Sequence, residues 1–106
     1  MPTELLLDNK RFWGTIRQGK IETIAYIVKF GKWGTTIGAT PTNYTYDHSG
    51  TDTSSTNLTG STSTSGTDVT TKSITALLSG EIYRFVIRAV VDGNTMEAWG
   101  YVIGED

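Results

Sequence analysis

An all-β fold, built as an antiparallel sandwich, is what this chain predicts, and three observations carry the expectation. Residues Ile82 to Val91 alternate so that Tyr83, Phe85, Ile87, Ala89 and Val91 make one wholly apolar or aromatic face, while Arg84 and Arg88 stand on the other. That period of two belongs to a strand. Asp92-Gly93-Asn94 follows at once, and these residue types accept the positive φ of a tight hairpin turn. Thr, Ile, Val and Tyr are abundant in a chain of 106 residues with 12 Gly and only 2 Pro, which favours pleated, half-buried surfaces over helix.

In chain order, Leu5-Leu6-Leu7 lies in an N-terminal segment, residues 1–12, that reads either as an arm docking on a neighbour or as a first strand on its own sandwich. Lys10 to Ile16 is a strand candidate. Ile21 to Phe30 puts Ile24, Tyr26, Val28 and Phe30 on one face, with Thr23, Ala25, Ile27 and Lys29 on the other, as expected of a central strand. Asn43 to Tyr46 and Val69 to Thr75 are shorter candidates, the second ending just before Leu77-Leu78. Between Ser49 and Asp68, 16 of 20 residues are Ser, Thr or Gly and Leu58 is the only apolar one. Such a stretch predicts a long exposed loop that supplies no core and carries one short edge strand near Asn57-Leu58-Thr59. Met96 to Ile103 then returns antiparallel to the Ile82 strand. Six or seven short strands across residues 13–106, separated by Gly, Asn and Asp turns, fit one β-sandwich of immunoglobulin type, with an open barrel as the alternative. At this length one domain is expected, burying roughly two-thirds of its unfolded surface.

Composition removes several function classes. A formal net charge of -2 supplies no positive field for a phosphate backbone, so no nucleic-acid partner is expected. With no Cys and one His, thiol chemistry, disulfides and the common zinc frameworks are closed to this chain, and no cofactor or metal is expected. Asp47, His48 and Asp52 suggest a weak divalent site, but turns collect the same residues for backbone reasons. No Gly-x-Ser-x-Gly elbow accompanies His48, so no enzyme is expected. No apolar run approaches the roughly 20 residues of a membrane-crossing helix, and Met1-Pro2-Thr3-Glu4 lacks the basic start of a cleaved signal. Asn43-Tyr44-Thr45 and Asn57-Leu58-Thr59 match the glycosylation acceptor pattern, as chance allows in a chain so rich in Thr and Ser. Charge is uneven: Met1 to Lys32 holds six basic and three acidic residues, while Trp33 to Thr71 carries only Asp47, Asp52 and Asp68. Head-to-tail contact between oppositely charged ends or plain scattered surface charge both fit.

The chemistry that remains is aromatic. Trp13, Trp33 and Trp99, with Tyr44, Tyr46 and Tyr101, suffice for a protein contact or a carbohydrate platform, though some must be core. Alternation puts Glu97, Trp99, Tyr101 and Ile103 on one face of the last strand and Met96, Ala98, Gly100 and Val102 on the other, a small-residue face suited to close approach by another backbone. Trp99 is expected in the core or at a subunit interface. The interface candidates are Leu5, Leu6, Leu7, Trp33, Trp99 and Tyr101. A different class, a stand-alone module for carbohydrate or a cell surface, would use Trp33, Tyr44, Tyr46 and the Ser/Thr/Gly loop.

Leu77-Leu78-Ser79-Gly80-Glu81-Ile82-Tyr83 resembles the tyrosine corner of immunoglobulin-like and fibronectin-type sandwiches, with Ser79 where Pro is common. From about Thr15 to Ile103, the apolar strand entering Lys32-Trp33-Gly34-Thr35-Thr36-Ile37, then Asn43-Tyr44-Thr45-Tyr46, the polar middle, Leu78-Ser79-Gly80 and the closing hairpin through Gly93-Asn94-Thr95 resemble tailed-phage virion structural proteins with an immunoglobulin-like domain, of the fiber-tail adaptor, neck or head-tail type. That resemblance implies a non-enzymatic subunit repeated around the particle, a homo-oligomer there, held to other virion proteins by protein contacts. It also implies location in the virion after assembly in the host cytoplasm. It brings no catalytic or ligand residue with it.

Overall fold

The computed structural model describes the backbone of Thr3–Leu6 and all of residues 12–106. Among the described residues ten strands and one helical turn follow in order: β1 (Thr3–Leu6), β2 (Phe12–Gly19), β3 (Tyr26–Lys29), β4 (Thr42–Tyr46), α1 (Ser54–Asn57), β5 (Leu58–Thr59), β6 (Ser63–Ser65), β7 (Asp68–Thr70), β8 (Ser73–Ile74), β9 (Ile82–Val91) and β10 (Asn94–Glu105). One sheet has the order β1-β3-β7-β6 and the other β2-β10-β9-β4, with β5 and β8 as a short separate ladder. The chain therefore is an all-β, immunoglobulin-like sandwich. The strands exceed seven because the polar stretch and the Val69 region break into pieces of two or three residues. Of the Lys10 to Ile16 expectation, residues 10–11 lie outside the described residues, and the strand runs on to Gly19.

Strand β9 shows why the halves cohere. Its alternating side chains Tyr83, Phe85, Ile87, Ala89 and Val91 are all buried, and they meet Tyr26, Val28, Phe30 and Val69 from the facing sheet in one core cluster. Phe85 sits between the layers, edge-on to Tyr26 at 6.4 Å and to Trp13 at 5.7 Å. Each such large buried side chain contributes about 1.5–3 kcal/mol of transfer free energy. The hairpin to β10 turns on Asp92 and Gly93, with φ of 48 and 84 degrees, as a two-residue turn with positive φ at both positions requires. The Asp92 carboxylate also accepts the Thr36 backbone N–H at 3.0 Å and that of Thr35 at 3.1 Å, tying the β3–β4 connection to the same corner.

Polar side chains close the gaps between layers. Gln18 is buried on β2, accepts the Tyr26 hydroxyl at 2.9 Å and donates to the Ile74 carbonyl at 2.8 Å. Burial, with the nearby Glu22 charge adding to it, pushes the Tyr26 phenol up to about 12. The polar stretch departs from the expectation of a loop without core. Leu58 joins the core cluster, and Asn57 is 2% exposed, its amide donating to the carbonyls of Thr75 and Ala76. Thr45 and Ser54 hold the segment against β4: the Thr45 N–H donates to the Ser54 hydroxyl at 3.0 Å, and the Thr53 N–H to the Thr45 carbonyl at 2.8 Å. Asn43 is likewise buried and bonded to Val86 and Lys72 backbone, so neither acceptor-pattern asparagine presents its amide for a glycan in the folded chain. The basic surplus of the first third is partly matched within the fold, Arg17 pairing with Glu105 at 3.0 Å and Lys20 with Asp106 at 3.1 Å.

The tyrosine corner is formed. The Leu78 N–H donates to the Tyr83 hydroxyl at 3.1 Å, and the turn is pinned to the end of β10 by bonds from Gly80 to Gly104 and from Gly104 to Glu81. The small-residue face of β10 points inward here. A methyl group on Gly100 would run into the Trp13 indole, and one on Gly104 into the Leu78 carbonyl. Replacing Tyr83 by Phe is expected to cost about 1 kcal/mol, the net worth of one such bond, and to lower the melting temperature by about 4–8 °C. Gly104→Ala, which forces backbone apart, should cost more, about 2–3 kcal/mol. Thermal and urea unfolding of both variants checks the order, and an unchanged Tyr83→Phe curve would remove the corner from the account.

Candidate functional site

The outer face of the β2-β10-β9-β4 sheet assembles most of the chain's unburied aromatic surface. Strand register lines its residues up in rows across the sheet. Phe12, Trp99, Val86 and Tyr44 form one row, Thr15, Tyr101, Arg84 and Tyr46 the next, and Arg17, Ile103 and Ile82 a third. On the other side of the aromatic row stand Glu97, Arg88 and Thr42. A bulge in β2 makes the first row possible. Gly14 has a φ of 106 degrees, and the β2–β10 register shifts between Trp99 and Tyr101. Phe12 and Thr15 are thereby both exposed, while Trp13 and Ile16 pack on the core. Bulges re-aim side chains in this way.

The geometry of the face is close-knit. Phe12 lies 4.6 Å from Trp99 and 5.8 Å from Tyr101, and Trp99 stands edge-on to Tyr101 at 5.5 Å. Arg84 lies over the Tyr46 ring and Arg88 over the Tyr44 ring, each 4.9 Å from the centroid. Arg88 donates to the Glu97 carboxylate at 2.7 Å, and that bond raises the Arg88 guanidinium pKa above its ordinary value. Phe12 is 39% exposed, Ile82 45% and Tyr101 37%, so this one face holds three of the five large exposed hydrophobics among the described residues. Apolar side chains so gathered, with charges at the border, are the mark of a contact surface.

Of the residues singled out in the sequence, Trp99 and Tyr101 come together here. Trp99 is half-buried on the outer face and is not part of the core cluster. Trp33 does not join them: it follows β3, meets Phe30 edge-on at 5.7 Å and packs against the core. Leu7 and the side chains of Leu5 and Leu6 lie outside the described residues, while the backbone of Thr3–Leu6 pairs in parallel with β3. Phe12, Val86, Ile82 and the two arginine–tyrosine pairs were not singled out, because only lateral register makes them neighbours of Trp99.

The acidic and imidazole groups serve the turns. The Asp47 carboxylate accepts the N–H groups of Ser49 and Thr51, and Asp52 accepts that of Ser54. His48 is exposed and meets Glu81 of the corner turn, Nδ1 to Oε2, at 2.5 Å. That hydrogen bond, the Glu81 charge and the Asp47 charge raise the His48 pKa above its ordinary 6.5. Among the described residues no three His, Asp or Glu side chains converge to hold a metal, and no helix is long and apolar enough to cross a membrane. Tyr46, His48, Ile82, Arg84 and Tyr101 line a shallow open cleft at the edge of the aromatic face.

No protein-family model, curated protein or solved structure matches the chain.

The His48–Glu81 contact predicts a pH dependence whose sign is fixed. Its stabilising contribution is fully present below the ordinary histidine value and fades as pH rises through the raised folded value. Proton NMR of the single histidine should titrate above 6.5 in the intact chain and fall back toward 6.5 in Glu81→Gln. A midpoint indifferent to that substitution would remove the pair from solution.

Proposed function

We propose that the chain is a non-enzymatic structural subunit of a phage or prophage virion, repeated in the particle and joined to neighbouring virion proteins through the outer face of the β2-β10-β9-β4 sheet. The observation that carries the docking role is the row of Phe12, Trp99 and Tyr44 over buried Val86, flanked by exposed Tyr101 and Ile82 and bordered by Arg88 and Glu97. Desolvated aromatics ringed by charges are what protein contacts use as anchors. The virion assignment rests on the sequence resemblance set out above, and the tyrosine corner supports the immunoglobulin-like frame that the resemblance implies.

A carbohydrate or cell-surface module has less support. A sugar-stacking platform needs rings lying flat side by side, whereas Trp99 and Tyr101 stand at 88 degrees and Phe12 and Tyr101 at 71 degrees. Tyr44 and Tyr46 are topped by arginines, and Trp33 packs on the core away from both.

Immunogold electron microscopy of particles released from the encoding organism tests the assignment. Label at one place on the particle, at the neck, the head-tail junction or the tail, is the expected result. Unlabelled particles, with the antigen on cell surfaces or in the soluble fraction, would overturn it.

A further inference from the structure

We infer that the partner seated on this sheet face is a second copy of the chain, in a two-fold pair whose axis runs along the strands between β9 and β10. The inference rests on the reading of the face as a docking surface and names its occupant. A half-turn about that axis leaves every residue at its own height along the strands and exchanges β9 with β10 and β2 with β4. The rows then meet themselves, and each meets its complement.

In the charged row, Arg88 of one copy comes opposite Glu97 of the other, and Glu97 opposite Arg88. Each chain already joins these two at 2.7 Å, so the pair of copies closes a square of alternating charge. In the aromatic row Trp99 comes opposite the position of buried Val86, and Phe12 faces Tyr44. In the next row Tyr101 faces Arg84, ring against guanidinium, an attraction in its own right. In the last, Ile103 faces Ile82, which explains an isoleucine 45% exposed on a central strand. The other in-plane axis, running across the strands through the aromatic row, sets Arg84 of one copy on Arg88 of the other. Charge complementarity thus selects the first arrangement, with both partners presenting the same patch as an isologous contact demands. Sheets packed face to face keep their strands within about 30° of each other, which preserves the match near the axis. Four strands at about 4.8 Å spacing and four rows about 6.8 Å apart give roughly 500 Å2 of projected face per copy, below the ~800 Å2 per partner of a standard specific contact, so the pair is weak and concentration-dependent.

Sedimentation velocity on the intact chain, from low micromolar to near millimolar concentration at low salt, is the test. The expected result is reversible dimerisation, weakened at least tenfold in Arg88→Glu and in Glu97→Arg, each of which sets like charges against each other. An equimolar mixture of those two variants should dimerise again, since at positions 88 and 97 one presents two acids and the other two bases, and the double exchange R88E/E97R should regain self-association. Ile82→Asp, at an exposed position, should lose the dimer while keeping the Arg88–Glu97 pair, and circular dichroism confirms that each variant is folded. A wild-type chain monomeric throughout, a dimer indifferent to these changes, or a mixture that stays monomeric would overturn the pairing. A monomer leaves the virion assignment standing if particles are labelled, and unlabelled particles leave the pair standing if the chain dimerises, so the two readings fail separately.

Discussion

Strand β9 is the constraint on which the molecule depends. It pairs with β10 from Ile82 to Val91 and with β4 from Arg84 to Arg88, so its pleat sets the height of every side chain on three strands. Period two then divides the labour. One face delivers Tyr83, Phe85, Ile87, Ala89 and Val91 to the core, and the other delivers Arg84 and Arg88 to the outer surface, with Val86 between them buried beneath its neighbours. A one-residue slip against either neighbour would exchange the two faces, burying two arginines and exposing Phe85. Positions at the strand ends guard against that slip. The two-residue turn at Asp92-Gly93 fixes one end, and the corner bond from Leu78 to Tyr83 fixes the other.

The parts of this design that were legible in the sequence are those governed by local periodicity. The faces of β3, β9 and β10, the hairpin turn and the Leu77 to Tyr83 corner each occupy a short window whose residues state their own geometry. The candidate site was legible only in part. Trp99 and Tyr101 share a strand face and so appear together in the sequence, but Phe12 and Tyr44 reach them through crossovers that no local pattern encodes. The Gly14 bulge compounds this, because an unbroken alternation would put Phe12 and Thr15 on opposite faces of β2.

The polar middle was hidden for a different reason. Hydropathy treats Ser, Thr and Asn as surface residues, yet a short side chain that satisfies backbone groups can be buried at little cost. Asn57, Asn43 and Ser54 do so, the two amides bonding to backbone groups and the Ser54 hydroxyl accepting the Thr45 N–H, all of which would otherwise be left unpaired. Leu58 is carried inward with them, since it follows Asn57 directly and opens the small ladder with β8. What a composition profile reads as filler is the seam that seals one flank of the sandwich.

The parallel pairing of β2 with β10 has a mechanical consequence. The two strands lie side by side from Phe12 against Trp99 to Gly19 against Glu105, with Arg17 and Lys20 clasping Glu105 and Asp106 at the far end. Tension entering β2 at its Phe12 end and leaving β10 at its Glu105 end runs along both strands in opposite senses. The evenly spaced, slanted bonds of a parallel ladder then carry the load together, in shear, and must break as a group. Pulled the other way, by drawing β9 and β10 apart at the open end of their hairpin where Ile82 pairs with Ile103, the same sheet would unzip one bond at a time, so its strength under force depends on the direction from which the pull arrives.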